Sequence, residues 1–330
     1  MKHISIIVPQ GEAVMGSIEG PHKVFNQVND FMTSNGKPPL FDVKLVGLSK
    51  ETHTYEKLFT IIPQLTIKDV DRTDLIIIPA IKGDFENSVK INHDFLPWIA
   101  KQYKGGAEVA SLCLGAFLLA STGLLKGKKC ATHWIAANEF KRMFPDVNLV
   151  AEKIITDENG IYCSGGAYSF LNLILYLVEK YAGRNLAVLC AKVFEIEIER
   201  GSQSQFIIFN GQKEHEDEPI KKAQVFIENN FMKKITVDEL ASMLALSRRN
   251  LERRFKKATA NTTVEYIQRV KIEAAKMSLE SSRENINEVM YKVGYTDSKA
   301  FRTIFKKITG LSPLQYRSKY NKDAMTASLV

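Results

Sequence analysis

Residues 107–120, Ala-Glu-Val-Ala-Ser-Leu-Cys-Leu-Gly-Ala-Phe-Leu-Leu-Ala, decide the architecture of the first two-thirds of the chain. The first half reads as a continuously apolar strand and the second as a helix. Between them Cys113-Leu-Gly115-Ala supplies the small residues that a tight strand-to-helix turn needs. Further apolar runs lie at residues 4–8, 41–48 and 74–79, the last reading Asp-Leu-Ile-Ile-Ile-Pro. Helical stretches near residues 20–35, 89–104 and 135–143 alternate with them. Strand–helix alternation with strands apolar on both faces predicts a parallel sheet covered by helices. Residues 153–156 and 161–163 flank Asp157-Glu-Asn-Gly160, a hairpin signal with Asn-Gly turn chemistry. Two helices follow, at residues 168–181 and from about Leu186.

The chain has 330 residues, 45% apolar and 25% charged, which suits two or three soluble globular domains and excludes extended disorder. No apolar run reaches the ~18 residues of a membrane-spanning helix. The N-terminus reads as a strand rather than a signal peptide, so a cytoplasmic location is expected. Cys113, Cys130, Cys163 and Cys190 form no C-x-x-C pair, and the six histidines are scattered. Neither a disulfide framework nor a metal site is expected, and no cofactor is implied.

Charge is unevenly placed. From Lys213 onward there are 23 Lys and Arg against 15 Asp and Glu, whereas the preceding residues hold 22 of each. The whole excess lies in the last third, which points to a neutral domain joined to one that meets a polyanion. The polar, turn-rich stretch around residues 201–219 separates them. The expected division is 1–205, a linker at 206–219, a helical domain at 220–320 and a tail at 321–330. Residues 206–209 are apolar and are expected to pack on the first domain.

The last hundred residues repeat. A shift of 50 lays Leu240 on Met290, Leu251 on Phe301, Phe255-Lys-Lys on Phe305-Lys-Lys, Thr259 on Thr309 and Tyr266 on Tyr316. Each copy reads helix, short turn, helix: residues 237–244 then 248–259, and residues 286–293 then 298–309. Ser247 and Asp297 are suited to cap the second helices, and Gly294 to make a turn. In the first copy Leu251, Phe255 and Ala258 face inward, leaving Arg249, Arg253, Lys256 and Lys257 outside. In the second, Phe301, Phe305 and Ile308 face inward, and Lys299, Arg302, Thr303, Lys306 and Lys307 stay outside. A helix-turn-helix places such a second helix in the major groove, where Arg bonds guanine and Lys neutralises phosphate.

Residues 286–295, Ile-Asn-Glu-Val-Met-Tyr-Lys-Val-Gly-Tyr, with Phe301, Phe305-Lys306 and Gly310-Leu-Ser-Pro313-Leu-Gln-Tyr316-Arg317, resemble the signature of AraC-type regulators. The resemblance covers residues 220–320. It implies seven helices, with two helix-turn-helix units joined by a long helix at residues 263–279. By position it implies base contacts from Arg249, Glu252 and Arg253 in the first unit and Ser298, Lys299, Arg302 and Thr303 in the second. Glu252 can accept from cytosine or pair with a neighbouring Arg.

In the first domain, a thiol where a strand enters a helix is expected to have a lowered pKa. Thr132-His133-Trp134 can bring an imidazole to the same mouth. Ser111-Leu-Cys113-Leu-Gly115, Gly123-Leu-Leu-Lys-Gly127 and Thr132-His133-Trp134 resemble PfpI/ThiJ-type, amidotransferase-like domains. The match is closest to the version fused to AraC-type domains, often called GlxA-like regulators. Gly20-Pro21, Val24-Phe25 and residues 176–183 and 202–206 belong to the same pattern. The resemblance covers residues 3–210 and implies a dimeric flavodoxin-like sandwich. Catalytic members carry a Glu in the loop after the first strand, and neither Glu12 nor Glu19 sits at that spot; fused regulators usually have Asp where this chain has Ser17.

The expected function is a one-component transcription regulator with a non-catalytic sensor and dimerisation domain. Its partners would be double-stranded DNA, a small-molecule effector, a second copy and, for an activator, RNA polymerase. Glu12, Glu19, Cys113, Leu114 and His133 are the pocket candidates, outside the carboxyl ends of the strands. The alternative keeps Cys113 and His133 as the dyad of an amidase, peptidase or glyoxalase-like enzyme tethered to DNA. A redox sensor acting through Cys113 is a third reading.

Overall fold

The computed structural model describes residues 1–198 and 201–321. The tail expected at 321–330 lies outside the described residues except for Asn321. The chain forms two compact units, Met1–Gln203 and Ser204–Val330.

In the first unit the strands are β1 (Lys2–Ile7), β2 (Phe41–Gly47), β3 (His53–Tyr55), β4 (Phe59–Ile61), β5 (Leu65–Thr66), β6 (Leu75–Ile78), β7 (Glu108–Leu112), β8 (Lys129–Cys130), β9 (Asn148–Leu149), β10 (Ile155–Glu158) and β11 (Ile161–Ser164). The helices are α1 (Gly16–Ser34), α2 (Phe85–Ile91), α3 (Phe95–Lys104), α4 (Ala116–Ser121), α5 (Ala137–Met143), α6 (Phe170–Ala182) and α7 (Arg184–Val193). Seven strands make one sheet in the order β10-β11-β7-β6-β1-β2-β5, parallel except for the β10–β11 hairpin. Helices on both faces make this the flavodoxin-like sandwich that the alternation predicts.

The run at 74–79 shows why its strand is apolar throughout. All of β6 is buried; Leu75 and Ile77 enter one core with Val24, Phe25 and Leu173. Ile76 and Ile78 enter the other with Phe95, Trp98 and Phe117. Asn159 and Gly160 both have positive φ, 57° and 78°, closing the β10–β11 hairpin.

The single helix expected at 89–104 is two. Asn92 is fully buried and interrupts it. Its Oδ1 accepts from Gln10 N–H at 2.7 Å, and its Nδ2 donates to Gln10 O and Ser88 O. That side chain pins the loop after β1, which α2 and α3 as one rod could not do. Between β2 and β6 the crossover carries the β3–β4 hairpin and β5 in place of a helix.

The second unit begins with a short 3-10 turn, Ser204–Phe206. Its helices are α8 (Glu218–Asn230), α9 (Val237–Met243), α10 (Arg248–Thr259), α11 (Thr263–Ser281), α12 (Ile286–Lys292), α13 (Ser298–Thr309) and α14 (Pro313–Tyr320). The first helix-turn-helix, α9–α10, has its own core of Leu240, Leu251, Phe255 and Tyr266. The second, α12–α13, has Val289, Met290, Phe301, Phe305 and Tyr316. Phe209 was expected on the first domain; it packs instead on Tyr266 of α11, edge-on at 5.1 Å.

The repeat is not a uniform shift of 50. Thr236 caps α9 and Asn285 caps α12, 49 positions apart, whereas Ser247 and Asp297, which cap α10 and α13, are 50 apart. Leu240 therefore corresponds to Val289 rather than Met290, and the second copy carries one extra residue in its turn.

Candidate nucleic-acid interface and the Cys113 elbow

Helices α10 and α13 form because an apolar residue recurs at helical spacing behind a side-chain cap. Ser247 Oγ accepts from Asn250 N–H, and Asp297 Oδ1 accepts from Lys299 N–H. Residues 251–260 and 301–310 have the same burial class at every position. Phe255 and Phe305 are fully buried. Arg249, Glu252, Arg253, Lys256 and Lys257 are exposed, as are Lys299, Arg302, Thr303, Lys306 and Lys307, while Ser298 is half-buried.

The polar partners differ between the helices. Arg248 pairs with Asp238 at 3.1 Å and with Glu252 at 3.5 Å, so Glu252 takes a neighbouring Arg. Arg253 donates to Asn250 Oδ1 at 2.9 Å, and Lys256 to Ala260 O at 2.8 Å. On α13, Lys299, Arg302, Lys306 and Lys307 make no ion pair among the described residues.

Sequence reasoning missed the groups that hold the two copies in place. Lys271 of α11 is buried, and its ammonium donates to Lys233 O, Val293 O and Gly294 O, each at 3.1 Å. Burial pushes its pKa down. Lys276, also buried, pairs with Glu273 at 2.9 Å. The available signal was two cations within the buried stripe of Ile267, Ile272, Ala275 and Leu279.

In the first unit, β7 turns sharply into α4 at Cys113, whose φ is +53°. Gly115 permits the bend: a Cβ there would meet Ile78 O and Pro79 O at 2.5 Å. Cys113 N–H donates to Ser164 Oγ at 3.2 Å, and Thr132 Oγ1 donates to Cys113 O at 2.9 Å. The segment carrying His133 thus reaches the elbow. The thiol does not have the lowered pKa expected of it. Cys113 is 4% exposed, and burial pushes its pKa up to about 12, against a smaller opposing effect of the Leu114 N–H. His133 Nδ1 accepts from Ile135 N–H at 3.1 Å, capping its own turn. Burial lowers the His133 pKa. Among the described residues no hydrogen bond joins the thiol to this imidazole.

Glu12 is exposed and accepts from Glu56 N–H at 3.2 Å; Glu19 is exposed beside Lys23, 3.9 Å away. Ser17, by contrast, is buried, donating to Val14 O and accepting from Ala80 N–H. All four cysteines are buried and free. A groove of about 550 Å³, which the sequence did not reveal, includes His3, Ser5, Asp42, Lys44, Arg72 and Asp74. These lie toward the starts of β1, β2 and β6, the sheet edge opposite the elbow. The described residues contain no cluster able to hold a metal ion, and no helix among them is long and apolar enough to cross a membrane.

A flavodoxin-like domain with a strand-to-helix elbow, followed by paired helices with basic outer faces, defines a two-domain DNA-binding protein. The DJ-1/PfpI family matches residues 21–180, and a helix-turn-helix domain of AraC type matches residues 240–319. The chain is 26% identical over 217 residues to the HTH-type transcriptional regulator ArgR of Pseudomonas aeruginosa, covering 66% of each. It is 25% identical over 258 residues to the HTH-type transcriptional regulator GbdR of the same species, covering 78% of this chain and 69% of that one. The chain thus spans about two-thirds of the length of these relatives. Among solved structures, a Vibrio parahaemolyticus protein described as a transcriptional regulator superposes with a TM-score of 0.53 at 23% identity, over 58% of this chain and 98% of that one. A ThiJ/PfpI family protein from Pseudomonas syringae gives 0.50 at 16% identity, over 81% of this chain and 90% of that one. These likenesses support the fold. The chain thus carries a DJ-1/PfpI domain followed by an AraC-type helix-turn-helix domain, the domain pair of a DNA-binding transcriptional regulator.

Proposed function

We propose that the chain is a one-component regulator, in which the first unit senses a small molecule and dimerises, and the second reads double-stranded DNA. The observation that carries this reading is the pair α10 and α13, alike in burial and basic on the outside. Arg249, Glu252 and Arg253, with Ser298, Lys299, Arg302 and Thr303, face bases. Lys256, Lys257, Lys306 and Lys307 face phosphates. A dimer presents two such pairs to repeated or palindromic half-sites, and RNA polymerase is the further partner if the chain activates. The test is anisotropy titration of the full chain on a duplex it selects from a random library, with size-exclusion chromatography for the dimer. Failure to select any duplex sinks the DNA-reading role, and a monomer at micromolar concentration sinks the dimer.

In this reading the effector binds at the elbow, with Glu12, Glu19, Cys113, Leu114 and His133 as the pocket candidates. A thermal-shift screen of metabolites, repeated on Cys113→Ala, tests it. A specific ligand at a hundredfold excess over Kd adds about 2.7 kcal/mol. If every ligand found shifts Cys113→Ala and a groove variant such as Asp42→Ala in the opposite order, the site belongs at the groove.

The strained backbone at Cys113 favours a second reading, in which Cys113 and His133 catalyse. The high thiol pKa and the engaged Nδ1 favour a non-catalytic domain. At pH 8, alkylation of Cys113 by iodoacetamide is expected to be about three orders of magnitude slower than that of an ordinary thiol. A rate at or above that of free cysteine, with Cys113-dependent turnover of an amide or glyoxal, would restore the enzyme.

A further inference from the structure

The stretch that joins the two units is bonded along its length to the DNA reader. Ser204 lies against Gly310, the C-cap of α13, with 3.9 Å between the Ser204 Cβ and the place a Gly310 Cβ would occupy. Tyr320 OH of α14 donates to Gln205 Oε1 at 3.3 Å, and the Lys319 ammonium stands over the Phe206 ring. The chain then crosses α11. Lys276 Nζ donates to Ile207 O at 2.6 Å, and Phe209 N–H donates to Glu273 Oε2 at 3.1 Å, so one ion pair holds the backbone at two points two residues apart. The Phe209 ring is wedged between Tyr266 and the Arg269 guanidinium.

Beyond α11 the stretch reaches the first helix-turn-helix. Gln212 O accepts from Gln224 Nε2 of α8, and Gln212 Oε1 accepts from Asn261 Nδ2 after α10. Asp217 ends it with a two-pronged pair to Arg254 of α10, at 2.6 and 2.9 Å. Both reading helices are therefore touched by one continuous segment.

Its upstream end is anchored in the first unit. Gln203 is 1% exposed, and its Nε2 donates to Thr132 O at 2.9 Å, Ala151 O at 2.6 Å and Lys153 O at 3.2 Å. Its Oε1 is buried with no partner. Thr132 is the residue that bonds Cys113 O. From the elbow, two hydrogen bonds and one residue of backbone lead to Ser204.

We propose that residues 204–217 are a strap that fixes the spacing of the two helix-turn-helix units, and that Gln203 passes to it any change in the loops around Cys113. The proposal rests on the DNA-reading function above and names how that function is regulated. Two reading helices must enter successive major-groove segments, about 34 Å apart along the duplex. Holding them at that spacing makes the second contact intramolecular, and loosening them lowers its effective concentration. The strap crosses α11, the long helix that joins both helix-turn-helix units, and ends on a salt bridge to the first reading helix. A shift of its entry by Gln203 is carried along a covalent chain with fixed attachments, not through diffuse packing.

The experiment uses the full chain and two duplexes: one selected by the parent from a random library, and the same duplex with one base pair inserted between the two contacted segments. Phe209→Ala, Lys276→Met and Asp217→Asn are expected to bind the selected duplex about tenfold more weakly and to lose the parent's preference against the insertion. Binding to unrelated duplex should stay within about twofold, because the phosphate-facing lysines are untouched. Gln203→Ala is expected to speed amide hydrogen exchange of Ile207 and Phe209 by about tenfold, although it alters nothing in the reader. If the strap variants keep the parent's ratio between the two duplexes, the strap is overturned while DNA reading stands. If exchange is unchanged in Gln203→Ala, the link to the elbow is overturned. If the parent selects no duplex, both readings fall. Should Lys276→Met unfold the reader, Asp217→Asn decides, since its pair with Arg254 is partly solvated and its loss leaves the core intact.

Discussion

Helices α10 and α13 share an inward face and differ in their turns and in the partners of their outer cations. Both bury a Phe four residues beyond a Leu or Phe, and both end on a left-handed residue. In α13 that residue is Gly310, with φ +79°; in α10 it is Ala260, with φ +57°. The turns before them repeat the contrast: Gly294 in the second copy, Ala245 in the first, both at positive φ. The first copy therefore carries backbone strain that the second avoids. Two of its arginines are also held, Arg248 by Asp238 and Glu252, and Arg253 by Asn250. The outer cations of α13 are unpaired among the described residues. A side chain already held loses less rotamer freedom on binding than a free one.

The sharpest way to break the comparison is through the shared seam. Phe255→Ala and Phe305→Ala should each destabilise the helical unit by about 3–5 kcal/mol, read by chemical denaturation. Costs that differ by more than about 2 kcal/mol would show that the copies are not equivalent inside. Next comes specificity. Arg249→Ala or Arg253→Ala should cost about 1–3 kcal/mol on the selected duplex and relax preference at one base position. If instead they weaken every duplex alike, the first helix is only an electrostatic foot.

Lys306→Ala and Lys307→Ala should weaken selected and unrelated duplexes evenly, each reducing the salt slope by about 1. Unaltered slopes would mean that these lysines do nothing but solvate α13. The smallest effect concerns strain. Ala260→Gly should raise stability by about 0.5–1 kcal/mol, and Gly310→Ala should lower it by a similar amount. Loss of stability in Ala260→Gly would remove the strain argument. Gly294→Ala should be worse than Gly310→Ala, because a Cβ there would meet Met232 O at 2.3 Å.

The seam of each reading helix, the caps Ser247 and Asp297 and the Asn159-Gly160 turn were legible because they depend on neighbours in sequence. The inward and outward sets of β6 follow from its position in the sheet, and the apolar run announced that position. What escaped depends on distant partners. Asn92 breaks a helix because Gln10 needs both of its amide atoms, across 82 residues. The extra residue in the second turn is hidden because the second helices align so well that they impose their own shift. The Cys113 thiol reads as reactive from its place before a helix, and only its burial shows otherwise. Lys271 and Lys276 look like surface charge until their carbonyl and carboxylate partners are seen. The strap is polar and turn-rich, the composition of a free linker, yet its bonds are to residues up to 115 positions away.

Gly115 has a consequence for how such a domain changes over generations. The bend at residue 113 brings the Gly115 backbone so close to Ile78 O and Pro79 O that no side chain fits at 115. Cysteine, serine and alanine all meet the same positive φ at 113, so the backbone itself does not choose among them. A lineage can therefore arm or disarm that position by one codon while the sheet, the helices and the neighbouring reader keep their shape.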